Sequence, residues 1–109
     1  MSSLCFSCYD AGLESFIESR RHRISQVTAD TYLSDGRRFK NYFYEGSMKV
    51  KGSWVSTTAR GRNGWISYDD VDVFLDALAS GGMAMGSVSV YRTPIEGALH
   101  FAPRCEHVD

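Results

Sequence analysis

No apolar run in this chain approaches the ~20 residues that a membrane-spanning helix needs. Its first ten residues, MSSLCFSCYD, lack the basic start and long apolar core of a secretory leader, so no signal peptide is expected. Cysteine is scarce. Three residues, an odd number, leave at least one without an intramolecular partner, which fits a reducing cytoplasm better than a disulfide scaffold. Charge excess is also lacking: 12 Lys and Arg against 13 Asp and Glu give a formal net charge of −1, so composition gives no reason to propose nucleic acid. Nor is there a phosphate-cradling loop. The one Gly-rich run with basic residues, Arg60-Gly61-Arg62-Asn63-Gly64, lacks the lysine and the strand–loop–helix setting of a P-loop.

What is present reads as one domain covering residues 1–109, with 43% hydrophobic and 23% charged residues. Its most legible stretch runs from Trp65 to Gly82. Ser67 has the side chain of an N-cap, and Asp70 three residues on completes a capping-box pattern with the shorter acid. Ile66 and Val71 have the spacing of a hydrophobic staple. Val71, Phe74, Leu75, Leu78 and Ala79 recur at helical intervals and predict one apolar face. Asp69, Asp70 and Asp72 put negative charge at the positive end of the helix dipole. Gly81 and Gly82 provide a left-handed stop.

Three more helices are predicted around this one. Leu4, Cys8, Tyr9, Leu13, Phe16, Ile17 and Ile24 keep helical spacing, with the surest portion from about Asp10 to Arg23 and a weak point at Gly12. A second helix of about sixteen residues, capped by Thr28 and ending at Gly46, carries the stripe Ala29, Tyr32, Leu33, Gly36, Phe39 and Phe43. Gly36 costs about 1 kcal/mol against Ala in a helix, and its place on the stripe suggests a close helix crossing. Residues 47–64 are rich in Gly, Ser and Thr and predict a loop with a short hairpin closing at Arg62-Asn63-Gly64. Ser87 is expected to cap a fourth helix with the stripe Val88, Tyr91, Ile95, Ala98, Leu99 and Ala102, kinked at Pro94. A strand over Ser87 to Tyr91 competes with that helix, since Val88 and Val90 alternate with serines. Cations gather at Arg20, Arg21 and Arg23, at Arg37, Arg38 and Lys40, and at Lys49, Lys51, Arg60 and Arg62. A neutral chain can still carry one basic and one acidic face.

The order of these elements resembles a known family. Ser25, Thr28, Tyr32, Asp35, Arg38 and Phe39 match the S-x-x-T-x-x-x-Y-x-x-D-x-x-R-F pattern of the N-terminal core-binding domain of tyrosine recombinases, the phage integrases. Asp70, Val71, Phe74, Leu75, Leu78, Gly81, Gly82 and Ser87 match the same domain's second half, and together the likeness covers about Leu13 to Ala102. The resemblance implies an all-α fold, a four-helix SAM-like bundle with a long insertion, with room for a hairpin, between helices two and three. Such domains form half of a clamp on double-stranded DNA, with helices two and four at the major groove. Carried across, the DNA-binding candidates are Thr28, Thr31, Arg37, Arg38 and Lys40 on the second helix. Ser87, Ser89, Arg92 and Thr93 follow on the fourth, and Lys49, Lys51, Arg60 and Arg62 between them. Other recombinase protomers on the same site are implied partners. No membrane or small-molecule partner is expected. The chain departs from the family in its longer link, in the short side chains Gly86, Val88 and Val90, and in its slight net acidity.

Chemistry of its own is not expected. The family's catalytic Arg, His-x-x-Arg and nucleophilic Tyr lie in a separate domain. None of His22, His100 or His107 is followed by Arg at the third position. The chain stops about where that domain would begin, so it is expected to be a domain of a longer strand-transferase, inactive alone. Cys5, Cys8, Cys105 and His107 could surround zinc if the termini met, but buried thiols are the simpler reading of the apolar context, and no cofactor is expected. The competing function is a non-enzymatic α+β protein-interaction domain, such as a small mobile-element inhibitor. There Met48–Val55 and Ser87–Tyr91 would pair as strands.

Overall fold

A computed structural model describes residues 4–57 and 65–105. In chain order the elements are β1 (Leu4–Cys5), α1 (Phe6–Arg20), α2 (Gln26–Glu45), β2 (Ser47–Val50), β3 (Ser53–Ser56), β4 (Trp65–Ile66), α3 (Asp69–Ser80) and α4 (Met85–Phe101). The expected four helices are there, but the fold is not purely helical. Two small antiparallel sheets accompany them, β1 with β4 and β2 with β3.

The first helix starts later and ends earlier than its periodicity suggests. Leu4 and Cys5 pair with Ile66 and Trp65, so the chain enters α1 from a strand. Beyond Arg20 the backbone closes in short turns, Arg21 N–H to the Glu18 carbonyl and Arg23 N–H to the Arg20 carbonyl, which leaves Arg21, His22 and Arg23 outside the helix. Gly12 is no weak point. It is buried, and a Cβ there would stand 2.1 Å from the Ala98 carbonyl oxygen, so α1 and α4 cross with backbones nearly touching.

Helix α2 is longer than expected because its cap is Ser25, not Thr28. The Ser25 hydroxyl accepts the Thr28 N–H at 3.1 Å, adding one turn at the front. Gly46, at φ 84°, closes the other end. Gly36 lies on the buried face, where a Cβ would meet the Leu13 side chain at 2.6 Å. The Tyr9 hydroxyl donates to the Gly36 carbonyl at 2.7 Å and ties the two helices.

The hairpin forms earlier in the 47–64 segment than its Asn-Gly pair suggests. Met48 faces Val55 and Lys49 faces Trp54, and the two-residue turn is Lys51-Gly52, both with positive φ as a type I′ turn requires. Arg62, Asn63 and Gly64, the expected turn, lie outside the described residues. Met48 and Val50 point into the core while Lys49 points out, the period-2 alternation of a half-buried strand. Val50 seats against the end of α3, where a Cβ on Gly81 would meet it at 2.5 Å.

At the front of α3 only half of the capping box forms. The Asp70 carboxylate accepts the Ser67 N–H at 2.9 Å, but Tyr68 holds the cap position with helical dihedrals and no side-chain bond. The Asp70 N–H donates to the Ser67 carbonyl at 3.1 Å, and the Ser67 hydroxyl is left buried with no hydrogen-bond partner among the described residues. The exit is a Schellman motif: Met83 N–H reaches the Leu78 carbonyl, Gly82 N–H reaches Ala79, and Gly82 has φ 100°. Helix α4 begins at Met85 behind Ala84, two residues before the expected Ser87 cap, and runs through Pro94. Ser87–Tyr91 is therefore helix, not strand.

The core is aromatic at its centre. Tyr9, Phe39, Phe43 and Phe74 are fully buried, with Phe39 5.3–5.5 Å from each of the other three ring centroids and edge-on to Phe43 and Phe74. All four helices and β2 send residues into this one core.

Candidate nucleic-acid interface

Arg38 is where the candidate elements meet. It leaves α2 half-buried and donates to the Tyr91 hydroxyl of α4 at 2.8 Å and to the Lys49 carbonyl of β2. Its guanidinium lies 5.8 Å from the Tyr91 ring centroid. Tyr91 in turn packs edge-on against Phe74 of α3. One planar, multi-donor side chain thus holds α2, α4 and the hairpin in register, work that an ammonium group with its single point of charge could not do as well. Burial pushes the neighbouring Asp35 carboxyl above the usual carboxylate range, against the opposing pull of Arg38.

The other candidates divide into braces and exposed groups. Lys40 is a brace: its ammonium meets the Asp10 carboxylate at 2.8 Å and links α2 to α1. Thr28 and Thr31 serve the first turn of α2, Thr28 bonded to the Ser25 hydroxyl and Thr31 donating to the Val27 carbonyl at 3.0 Å. Arg37 is exposed and lines both grooves beside α2, one shared with α1 and one running to the hairpin. Those grooves also hold Asp30, with Glu14 and Glu18 in the first and Glu45 in the second, so neither is uniformly basic. Lys49 and Lys51 are exposed on the hairpin, and the Lys49 ammonium sits 5.9 Å from the ring centroid of Trp54, itself 68% exposed. Arg60 and Arg62 lie outside the described residues.

On α4, Ser87, Ser89 and Thr93 are exposed, with Ser89 donating back to the Gly86 carbonyl at 3.0 Å. Arg92 is engaged by acids on both sides, Glu96 at 2.7 Å and Asp72 of α3 at 3.4 Å. These partners, Glu96 first, hold its guanidinium even more firmly charged than usual. The acidic helix α3 therefore borders this face of α4, and Asp72, Asp76, Ser89 and Arg92 line one shallow groove. Sequence reasoning missed Trp54 and Tyr91 as parts of this region. A Lys–Trp pair opposite each other on a hairpin becomes readable only once the strand register is known.

A separate cluster joins the two ends of the chain. The sulfurs of Cys5, Cys8 and Cys105 all lie within 4.8 Å of one another, and Cys5 and Cys105 stand 3.5 Å apart. Cys5 caps α1 and accepts the Cys8 N–H at 3.4 Å. Burial first, then the adjoining Cys5 and Cys105 sulfurs, push the Cys8 thiol up to about 12. His107 lies outside the described residues.

No protein-family model, curated protein or solved structure matches the chain. No described helix is long and apolar enough to cross a membrane.

Proposed function

We propose that this chain is a DNA-binding module of the tyrosine-recombinase core-binding type, a SAM-like four-helix bundle elaborated by the β2–β3 hairpin. In this reading it grips duplex DNA as half of a clamp, beside other protomers in the cytoplasm, and leaves strand transfer to another domain. The observation that carries the reading is the Arg38 brace, because it joins the second helix, the fourth helix and the inserted hairpin into one surface. Around that brace Arg37, Lys49 and Lys51 present exposed cations for phosphates, and Trp54 presents an open aromatic face. Arg38 and Lys40 act in it as positioning residues. Acids beside Arg37 and Arg92 keep the surface weakly basic, so the isolated module binds non-specifically in the range of about 10⁻⁴–10⁻⁶ M.

Fluorescence anisotropy with a mixed-sequence duplex at low and moderate salt tests this. Each lost phosphate contact lowers the slope of log K against log salt by about 0.9. The Lys49→Ala, Lys51→Ala double variant should therefore flatten it by up to about 1.8. Unchanged affinity and slope would remove the hairpin from the interface. Absence of binding at low salt would favour the second reading, a protein-interaction domain. That reading draws on the same exposed Trp54 and on the mixed charge of the grooves beside α2.

A further inference from the structure

We propose that Cys5, Cys8 and Cys105 form a thiolate site for a zinc-class divalent cation that fastens the two ends of the domain together. The site shares no residue with the Arg38 seam and does not depend on the DNA reading.

Geometry comes first. Tetrahedral zinc with bonds of about 2.3 Å to sulfur holds its thiolates about 3.8 Å apart. The three sulfurs already lie within 4.8 Å of one another, with the closest pair at 3.5 Å, so side-chain adjustment alone brings them into range. They come from three different settings: the end of β1, the first turn of α1, and the segment after α4. Cys8 is buried, whereas Cys5 and Cys105 are half-buried, so the cluster has a protein-facing floor and a side open to an incoming ion. The three sulfurs leave the fourth position of a tetrahedral ion to water.

The chemistry fits a borderline-soft cation. An all-sulfur donor set selects zinc-like ions over magnesium or calcium, which take oxygen. The Cys5 sulfur already accepts the Cys8 N–H at 3.4 Å, the kind of hydrogen bond that orients a metal-ligating sulfur. On binding, three S–H bonds break, three S–metal bonds form and three protons leave to solvent. The local charge falls from +2 for the free ion to −1 for the complex. In an uncharged state the same three thiols gain little from close approach, since S–H is a weak donor and sulfur a weak acceptor. The cation is what would make their convergence strongly favourable.

The test uses the full chain, reduced and kept from air, titrated with Co²⁺ alone and then with Zn²⁺ alone. Cobalt should give the intense visible bands of a tetrahedral ion and near-ultraviolet thiolate charge transfer. Both should saturate at one ion per chain and be erased by one equivalent of zinc. Three protons per ion should appear in a weakly buffered solution. Cys5→Ser and Cys105→Ser are the informative variants, because Ser is a strong N-cap at position 5 and position 105 is only half-buried beyond α4. With circular dichroism unchanged, each should weaken binding by more than about 100-fold, exceeding the loss typical of a second-shell partner. Pale octahedral cobalt spectra in the folded, reduced chain would overturn the proposal, as would binding that survives both substitutions. So would a chain that ignores both ions but forms a Cys5–Cys105 disulfide with mild oxidant, since that would make the cluster a redox pair.

Discussion

Replacing Gly12 by Ala sets two known effects against each other, and the structure decides between them. A methyl group would lie 2.1 Å from the Ala98 carbonyl oxygen, 2.7 Å from Ala102 Cα and 2.8 Å from Ala102 N, whereas ordinary contact begins at 3.4 Å. All three atoms are backbone, so no rotamer change relieves the clash. Helix α4 would have to retreat by roughly 1 Å, loosening the packing of Leu13, Phe16 and Ile95, and overpacking of this kind costs about 1–3 kcal/mol. Helix propensity works the other way by about 1 kcal/mol. Because only backbone can yield, the cost falls at the upper end, and the net loss is about 2 kcal/mol. For a domain of this size that lowers Tm by roughly 8 °C. Gly86→Ala is the control: it lies in the first turn of α4 with nothing within 4 Å of an added Cβ, and should gain about 0.5 kcal/mol. Urea unfolding followed by circular dichroism measures both. A Gly12→Ala midpoint equal to or above that of the parent would refute the close crossing.

Arg38→Ala should cost about 1–3 kcal/mol through the lost bonds to Tyr91 and Lys49, while exposed Arg37→Ala stays within about 0.5 kcal/mol; equal effects in thermal melts would deny Arg38 its bracing role. Burial raises the Tyr9 hydroxyl well above its ordinary 10.0, so the folded chain keeps a proton that the unfolded chain gives up above that pH. Tyr9 therefore contributes stability in full below about pH 10 that is lost as pH rises further, and Tyr9→Phe should flatten this alkaline decline in unfolding experiments. Gly52→Ala should cost about 1 kcal/mol despite open space around it, because φ of 84° strains any residue with a Cβ; a neutral effect on the melting temperature would argue against the Lys51-Gly52 turn.

Local signals served well where the answer was local. The α2 stripe, the Val71, Phe74, Leu75 and Leu78 face of α3 and the glycine stop after it follow from spacing alone, because a helix's apolar face repeats within a few residues. Ala79, by contrast, is exposed, and Ala77 is buried in its place. Boundaries failed where two neighbours compete for the same role. Ser25 and Thr28 are both good caps, and Ser25 takes the role by accepting the Thr28 N–H, which places Thr28 inside the first turn. The Asp70 carboxylate found its partner in the Ser67 N–H, but the Asp70 N–H donates to the Ser67 carbonyl and not to its hydroxyl, so the reciprocal capping-box bond is missing. Among the cationic candidates, residue type was legible and role was not. Arg37 and Arg38 are adjacent in sequence, yet one is exposed and the other is bound to α4 and β2, and only the relative placement of three elements separates them.

The same limit explains why the sequence could group the cysteines only on the condition that the termini meet. Cys5 and Cys105 are 100 residues apart, and their 3.5 Å approach depends on how α1 and α4 cross. Gly12 opposes Ala98 and Ala102, while Phe16 opposes Gly97 and Phe101, so the two helices run antiparallel. An antiparallel crossing brings the end of α4 back toward the start of α1. The closeness of that crossing requires a glycine at position 12, since a side chain would push Ala102 away and carry the segment bearing Cys105 with it. Gly12, which weakens the helix when read alone, is thus the residue that lets the two ends of the domain meet. If the thiols hold a cation, Gly12→Ala should weaken cobalt binding as well as stability, and Gly86→Ala should leave it unchanged.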